Sequence, residues 1–449
     1  MRRLAIAPIV ASLLAALPAP AVANGRAPLT NGVFLRPGDD QSLYVRTTFG
    51  LLISHDDGCT FHWVCEKAIG YGGEFDPKYA IATDGTIFAT TFTGLRVSRD
   101  NGCTWTTATS QADVNDPGRI ADIWIDAIDI SPNGEVWVAT AESAKPNDVF
   151  RSADNGVTFA PAGLQSPIIW WKSIRVAKSD PQRIYVTGYQ VANTAQAHVR
   201  RSTNGGQSWT PVPIPSNVQY GATPIVYVTA VDPGNADHLY LTSIGANPPN
   251  GDRVYRSVDA GDTYTEVAAT TDPVRDIVIR SNGSALIATL AGGTYESQTM
   301  TGAFVKLGTV RANAQDVNPP RFGCLAQKPD GTLIGCGANW QPDYMAIGRA
   351  QNPLAFQKLF RFVDLAGPVA CPAGTNEADE CAPMWPALKQ QFGATGPGVC
   401  GANPDLPTID LPTPPPPKGG GCCDASASGP ASFAVGALAG LLLFRRRRR

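Results

Sequence analysis

Carboxylates are the side chains of this sequence from which a catalytic site could be built. Hydrolysis of a glycosidic bond needs two carboxyl groups flanking that bond, and Asp126, Glu142 and Asp276 are candidates whose spacing along the chain does not show whether they meet. The sequence has no nucleophile-elbow, P-loop or Rossmann signature. Its four histidines lack the paired spacing of metal ligands. We therefore predict neither a metal nor a cofactor.

Aromatic side chains are the candidates for a binding site. Six of them fall in the longer and more varied connecting segments, where binding usually resides on a rigid scaffold. Flat rings can stack on sugars or anchor a protein partner, although Trp and Tyr also fill cores, which is the alternative for each residue. The predicted binding residues are Trp170, Trp171, Tyr189, Tyr220, Trp340 and Tyr344.

An eight-residue pattern occurs five times and indicates the repeated scaffold to which these connecting segments belong. It reads Ser-x-Asp/Asn-x-Gly-x-Thr/Ser-aromatic and recurs about every 44 to 55 residues; a sixth copy at 297–304 lacks the acid. A short acid or amide at the third position can accept hydrogen bonds from turn N–H groups, and the glycine permits a positive φ. We predict a structural role for the third residue of each copy, namely Asp56, Asp100, Asp154, Asn204 and Asp259.

The octapeptides resemble Asp boxes (BNR-like repeats), the turns shared by sialidase-type β-propellers and by photosystem-assembly factors. Each copy follows a hairpin with a turn signal and a further strand, which gives a unit of four antiparallel strands, roughly 48 residues long. Seven such units fit between residues 31 and 366, within a predicted domain at 24–366. The sequence thus predicts an all-β fold, a seven-bladed β-propeller with four-stranded antiparallel blades. Ring closure is assigned to residues 32–37 or 359–365. Sialidases carry an Arg-Ile/Leu-Pro motif. The most similar string here is at residues 34–39, where Arg36 directly precedes Pro37, so the middle residue of the motif is missing.

The cysteines suggest an oxidising compartment. Cys324 and Cys336 flank one hairpin turn symmetrically, so we predict a disulfide between them. We also expect Cys59 to pair with Cys65 and Cys371 with Cys381, which leaves Cys103 and Cys400 as a further pair. Cys371, Cys381 and Cys400 lie in a small cap predicted at 367–400, in which residues 382–392 are the best candidate helix.

Both ends of the chain predict export. Residues 1–23 have the charged, apolar and small-residue regions of a secretory signal. A Pro/Gly-rich linker at 401–421 precedes a tail at 422–449, which holds Cys422 and Cys423, a short apolar segment and five arginines. The tail resembles the MYXO-CTERM sorting signal of myxobacterial surface proteins. That resemblance implies cleavage by a sorting protease of the myxosortase type and a lipid on Cys422 or Cys423, with attachment to the membrane.

Charge and composition exclude one large class of function. The formal net charge is −2 and the sequence has no basic stripe, which argues against nucleic-acid binding. The leading hypothesis is a lipid-anchored, surface-displayed or shed propeller that binds a glycan or a protein without catalysis, as a monomer. The alternative is a secreted glycoside hydrolase of sialidase-like fold.

Overall fold

A computed structural model describes residues 26–397, with the exception of 74, 192–194, 291–292, 308–321 and 340–343. The described strands form seven sheets, each with four consecutive antiparallel strands. The predicted signal segment, the linker, the sorting tail with Cys422 and Cys423, Cys400 and Trp340 lie outside the described residues.

The seven sheets are the blades of a ring, which confirms the predicted β-propeller. From the inside outward, blade 1 contains β1 (Thr30–Arg36), β2 (Asp39–Thr47), β3 (Gly50–Ser54) and β4 (His62–Val64), and blade 2 contains β5 (Tyr79–Ile81), β6 (Ile87–Thr91), β7 (Gly94–Ser98) and β8 (Thr106–Thr107). Blade 3 contains β9 (Ile125–Ile130), β10 (Val136–Thr140), β11 (Val149–Ser152) and β12 (Ala160–Pro161), and blade 4 contains β13 (Ile169–Val176), β14 (Ile184–Gln190), β15 (Ala197–Ser202) and β16 (Thr210–Val212). Blade 5 contains β17 (Val226–Asp232), β18 (Asn235–Asn247), β19 (Gly251–Ser257) and β20 (Thr265–Ala269), and blade 6 contains β21 (Val274–Ile279), β22 (Ala285–Thr289), β23 (Gly293–Ser297) and β24 (Val305–Lys306). Blade 7 contains β25 (Cys324–Gln327), β26 (Leu333–Cys336), β27 (Ile347–Ala350) and β28 (Gln357–Phe360).

Burial explains why the middle strands of the blades are so apolar. Each blade packs between two others, so both faces of its second strand are covered. All five residues of β6, β10 and β22 are buried for this reason. The apolar clusters accordingly lie between successive blades; one combines Trp137 of blade 3 with Trp171 and Val186 of blade 4.

The ring closes through both predicted segments. The first strand of each blade lies beside the first strands of the two adjacent blades, and β1 packs against β25. The Thr30 hydroxyl donates to the Ala346 carbonyl oxygen in blade 7 at 2.7 Å. After β28, a 3₁₀ turn at Phe362–Asp364 leads to β29 (Gly367–Pro368), which pairs in parallel with β4 at the outer edge of blade 1.

Three short helices lie beside blades 1 and 2. These are α1 (Glu66–Ile69), α2 (Asn376–Glu380) and α3 (Trp385–Phe392), and the last of them falls within the predicted helix at 382–392. Phe392 of α3 packs against Phe49 and Phe362, with ring centroids 5.0 and 4.9 Å apart. The segment after the ring is therefore a cap on the first blade.

The disulfides tie this cap to the ring and correct two predicted pairings. Cys324 and Cys336 are joined across their hairpin, as predicted. The Cys59–Cys65 and Cys371–Cys381 pairings were wrong, because Cys65 is joined to Cys381. The pairing of Cys103 with Cys400 was also wrong, because Cys103 is joined to Cys371. Cys59 is disulfide-bonded as well. These cross-links are typical of exported proteins. Within the described residues, no helix combines the length and apolar character needed to span a bilayer.

The repeated octapeptides form the turns between the third and fourth strands of blades 1 to 5. In blade 3, Asp154 accepts hydrogen bonds from the Thr158 N–H at 2.9 Å and from the Ser152 hydroxyl at 2.7 Å. The Ser152 hydroxyl in turn accepts from the Gly156 N–H at 2.8 Å. The third residue of each copy is thus occupied in holding its own turn.

Candidate functional site

The connections that follow the second and fourth strands of each blade share one end of the ring, which we call the loop face. This arrangement follows from the antiparallel order of the blades. The octapeptide turns lie at the opposite end, which we call the turn face. Since the octapeptide acids are occupied with local hydrogen bonds there, a binding site is better sought on the loop face.

Five aromatic side chains form a continuous row across the loop face of blades 2 to 4. The separations of successive ring centroids are 4.6, 4.9, 5.5 and 6.2 Å. We call this set the aromatic row; in order, it contains Phe75, Phe92, Trp124, Trp170 and Tyr189.

The positions of the rings in the aromatic row are fixed by the blade backbone, because the residues of the row lie close to where strands begin or end. Phe92 lies in the tight turn between β6 and β7, and Trp124 immediately precedes β9. Trp170 and Tyr189 face each other as cross-strand partners at the ends of β13 and β14. The Phe92 ring is 50% exposed, whereas Tyr189 is 4% exposed, so the row presents its accessible rings at the blade 2 end.

A cleft continues from the exposed end of the row. It has a volume of about 610 Å³ and runs between Phe92 and Thr93 of blade 2 and the segment Lys67–Gly72 that contains the end of α1. Glu380 of α2 also lines it. The volume is in the range of small-molecule sites, and one wall depends on the cap that the disulfides hold in place.

The central channel of the ring receives charged side chains from several blades. Lys78 extends from blade 2 to the Asp126 carbonyl oxygen of blade 3 at 2.7 Å and to the Lys172 carbonyl oxygen of blade 4 at 3.2 Å. Lys172 forms an ion pair with the carboxylate of Asp126. We call the full set the channel cluster; it contains Lys78, Asp126 and Lys172, which are in contact, and Arg46, Arg175 and Asp276, which lie on the first two strands of their blades, the charges of the two arginines acting on the pKa values of Lys78 and Asp276.

The aromatic row and the channel cluster meet at Trp124. The ammonium of Lys172 lies 4.6 Å from the centroid of a Trp124 ring, in cation–π geometry. Both Lys172 and Asp126 have side chains that are only 5% exposed. A ligand on the row would therefore approach a charged, largely desolvated site, where electrostatic interactions are stronger than in water.

Burial shifts the ionisation of two members of the channel cluster toward neutrality. It lowers the pKa of Lys78 to about 8, although the carboxylate of Asp126 opposes the shift. It raises the pKa of Asp276 to about 6, against the lowering by the Leu325 N–H and by nearby guanidinium groups. The Leu325 N–H donates to Asp276 at 2.9 Å. The channel thus holds one carboxyl group that changes charge near neutral pH.

The three candidate acids divide between two roles. Asp126 and Asp276 both belong to the channel cluster. Glu142 does not, because its carboxylate accepts from the N–H groups of Ser143 at 2.7 Å and Ala144 at 3.0 Å. Burial works to raise the pKa of Glu142, but these backbone hydrogen bonds bring it below the usual value. Glu142 therefore stabilises its own loop.

The six predicted aromatic residues lie in different places. Trp170 and Tyr189 belong to the aromatic row. Trp171 points the other way along β13 and is 1% exposed in the interblade core, where its indole N–H donates to the Leu164 carbonyl oxygen at 3.0 Å. Tyr220 is 40% exposed beside a separate hollow of about 350 Å³ lined by His198 and Arg200.

The last two predicted aromatic residues are at blade 7. Tyr344 has a ring 5.8 Å from the Lys358 ammonium and lies away from the aromatic row. Trp340 lies outside the described residues. The structure therefore brings together two of the six.

The sequence analysis did not predict three members of the row, namely Phe75, Phe92 and Trp124. They occur in connections that are close to strand ends, whereas the prediction followed long and variable segments. A signal was present in the sequence, because an aromatic residue stands just before or at the start of the first strand in blades 2, 3 and 4.

Within the described residues, no group of three or more His, Cys, Asp or Glu side chains has the geometry of a metal site.

Comparison with known proteins gives structural likeness only. No known family and no curated protein matches the chain by sequence. An ancestral GH74 enzyme is 15% identical with a TM-score of 0.54, over 74% of this chain and 46% of its own. A GH74 enzyme from Niastella koreensis is 16% identical with a TM-score of 0.48, over 76% and 53%.

A third structure is shorter and is matched over most of its length. YCF48 from Cyanidioschyzon merolae is 10% identical with a TM-score of 0.43, over 69% of this chain and 92% of its own. This chain spans about half the length of the GH74 enzymes. At these identities the likeness concerns the fold alone.

Proposed function

We propose that this protein is a surface-displayed, lipid-anchored propeller that binds a glycan on its loop face without catalysis. The aromatic row is the single observation that carries the proposal. Its rings follow one another at 4.6 to 6.2 Å across three blades, and Phe92, next to the blade 2 end, is 50% exposed. Sugar rings present apolar faces that stack on such side chains, while polar groups at the row's margin fix their orientation.

The candidate acids also favour binding over hydrolysis. Asp126 is engaged by two ammonium groups, those of Lys78 and Lys172. A carboxylate held in this way is poorly placed to act as a nucleophile or base, because both roles need a free lone pair directed at the reacting atom. Asp276 accepts the Leu325 N–H, which fixes one of its oxygens.

A second candidate function is glycoside hydrolysis. The observation that favours it is that Asp126 and Asp276 both belong to first strands of the ring, where burial raises the pKa of Asp276 to about 6. A carboxyl group with a raised pKa is suited to act as the general acid of a glycoside hydrolase. The GH74 enzymes share the fold with this chain at 15–16% identity, so their activity suggests this alternative but identifies no catalytic residue.

A glycan array and a panel of fluorogenic glycosides separate the two functions. We expect the purified protein to retain specific glycans on the array and to release no fluorophore from any glycoside. Turnover that is lost in Asp276→Asn would establish the hydrolase instead. Absence of retention by every glycan would contradict the binding proposal, and screening the same surface against peptides would then test for a protein ligand.

Display at the cell surface is a separate part of the proposal. It is supported by the predicted signal at 1–23, the sorting tail at 422–449 and the disulfides. A sorting protease of the myxosortase type would cut near Cys422 and Cys423, one of which would carry the lipid. Intact-mass analysis of the surface-exposed protein tests this. We expect a product shortened at both ends with the mass of an added lipid, and a product ending in Arg449 would contradict it.

A further inference from the structure

The first strands of blades 3, 4 and 5 have an irregularity at the same place. In each of them, the pairing with the second strand passes over one residue near the loop face, which forms a β-bulge. The bulged residues are Asp126 in β9, Lys172 in β13 and Thr229 in β17. A bulge bends its strand and changes the direction of nearby side chains. The three blades therefore have equivalent backbones at this level of the ring.

An aromatic residue stands two positions before the bulge in all three blades. It is Trp124 in blade 3, Trp170 in blade 4 and Tyr227 in blade 5. The first two belong to the aromatic row, with ring centroids 5.5 Å apart. All three residues are half-buried, so part of each side chain is accessible. Tyr227 thus occupies the next position of the series to which Trp124 and Trp170 belong.

The contacts of Lys78 place the Tyr227 ring beside the channel. The Lys78 ammonium lies 6.0 Å from the centroid of the Tyr227 ring. The same ammonium donates to the carbonyl oxygens of Asp126 at 2.7 Å and Lys172 at 3.2 Å. The Lys172 ammonium in turn lies 4.6 Å from the Trp124 ring. One connected set of lysine and aspartate side chains therefore links the rings of Trp124 and Tyr227.

Tyr189, the blade 4 end of the aromatic row, also lies near Tyr227. It is the cross-strand partner of Trp170. Burial raises the pKa of Tyr189 well above its usual value, and the neighbouring Tyr227 adds to the shift. Together with the contacts of Lys78, this means that the row continues from blade 4 into blade 5.

The charged groups behind these rings make the surface a preformed one. The side chains of Lys172 and Asp126 are only 5% exposed and form an ion pair. An ammonium against a ring face is attracted by the ring quadrupole, which favours one orientation of the ring. Rings that are already ordered lose little conformational entropy when a ligand stacks on them. The surface is therefore suited to bind without rearrangement.

We propose that Tyr227 is a further binding residue, and that the ligand is a chain of several sugar residues that follows an arc around the channel from blade 2 to blade 5. This inference rests on the proposed glycan binding and specifies the form of the glycan. A single terminal sugar would contact one or two neighbouring rings. Rings distributed over four blades suit several consecutive sugars, each of which stacks on an aromatic side chain.

The test is isothermal titration calorimetry with the oligosaccharide that binds most tightly on the glycan array, and with the same oligosaccharide shortened one sugar at a time. We expect Tyr227→Ala to bind the full chain about tenfold more weakly than the wild type. The difference should shrink as the chain is shortened, because fewer sugars then reach blade 5. Tyr220→Ala is the matched control, since it makes the same substitution at a ring that is 40% exposed beside a separate hollow.

Two further variants separate stacking from folding. Tyr227→Phe keeps the ring and should bind as the wild type does. Tyr227→Leu keeps an apolar side chain without a flat ring, and it should lose as much affinity as Tyr227→Ala.

The failure of this inference differs from the failure of the proposed function. If Phe92→Ala weakens binding while every Tyr227 variant binds as the wild type does, the arc is overturned and glycan binding stands. A wild-type affinity that does not fall as the chain is shortened would also overturn the arc. If no array glycan binds at all, the proposed function and this inference both fail.

Discussion

Gly206 of the blade 4 turn lies against the indole of Trp137 in blade 3, so closely that a Cβ on the glycine would be 2.4 Å from the ring. Gly156 has the same relation to Phe88 of blade 2, also at 2.4 Å. The glycines of the octapeptides therefore do more than permit a positive φ. In these two turns they let the backbone cover an aromatic ring of the preceding blade, and the glycine of the blade 2 turn, Gly102, lies in the same way against Val64 of blade 1.

We predict that Gly206→Ala destabilises the protein by more than the backbone strain alone. Gly134→Ala is the control, because Gly134 has φ +85°, close to the +78° of Gly206, with nothing within 4 Å of the added Cβ. Strain at positive φ costs roughly 1 kcal/mol, and overpacking adds roughly 1–3 kcal/mol at Gly206. Chemical denaturation of both variants measures the difference, and equal losses would refute the interblade role.

Asp154→Ala should weaken one turn and leave ligand binding intact. The carboxylate of Asp154 accepts from the Thr158 N–H and hydroxyl at 2.9 and 2.6 Å, so we expect a loss of about 1 kcal/mol. The exposed Asp40→Ala is the control. A large loss of glycan affinity at an unchanged melting temperature would contradict the structural assignment.

The same aspartate predicts an acid limit to stability. Burial works to raise its pKa, but hydrogen bonds from Thr158 and Ser152 lower the pKa of Asp154 to about 2. The folded carboxyl therefore binds its proton less readily than the unfolded one, and its stabilisation is lost as the pH falls from about 4 to 2. Asp154→Ala should show a shallower loss over that range, and an unchanged slope would contradict this.

Glu377 predicts the opposite dependence at higher pH. It is 1% exposed on α2, and burial raises its pKa to about 7. The folded state binds the proton more tightly, so stability falls as the pH rises from about 4.5 to 7. Glu377→Gln should be more stable than the wild type at pH 8 by up to about 3 kcal/mol. The exposed Glu380→Gln on the same helix is the control, and identical pH profiles for wild type and Glu377→Gln would refute the prediction.

Removal of the cap disulfide Cys65–Cys381 should lower the stability of the protein more than removal of the hairpin disulfide. Cys65–Cys381 spans 316 residues and Cys324–Cys336 spans 12. Because Cys103–Cys371 stays closed, the loop released by removing the first pair is about 48 residues long, and on loop-closure entropy its replacement by serines costs about 1 kcal/mol more than that of the second pair. Thermal midpoints of the two double variants provide the comparison, and a larger loss for the hairpin variant would contradict it.

The blades were predictable because their signals are local. The octapeptide period, the hairpin turns and the facing positions of Cys324 and Cys336 all arise within one unit of chain. The partners of Cys65 and Cys103 were not predictable, since they depend on how the cap docks on blades 1 and 2. Trp170 and Tyr189 were found as site residues, but Phe92 was missed because its turn is short. Asp126 and Asp276 were named as candidate acids, but the cations around Asp126 could not be predicted, since Lys78 and Lys172 lie on other blades and reach Asp126 only when the blades pack together.

Binding at the aromatic row is the central claim, and titration of the best array glycan into Phe92→Ala and Trp124→Ala tests it most directly. Tyr220→Ala is the matched control, because Tyr220 is 40% exposed beside a separate hollow. We predict that each row variant keeps the wild-type melting temperature within a few degrees and loses at least about tenfold in affinity, while Tyr220→Ala binds as the wild type does. Unchanged affinity in both row variants would contradict the account.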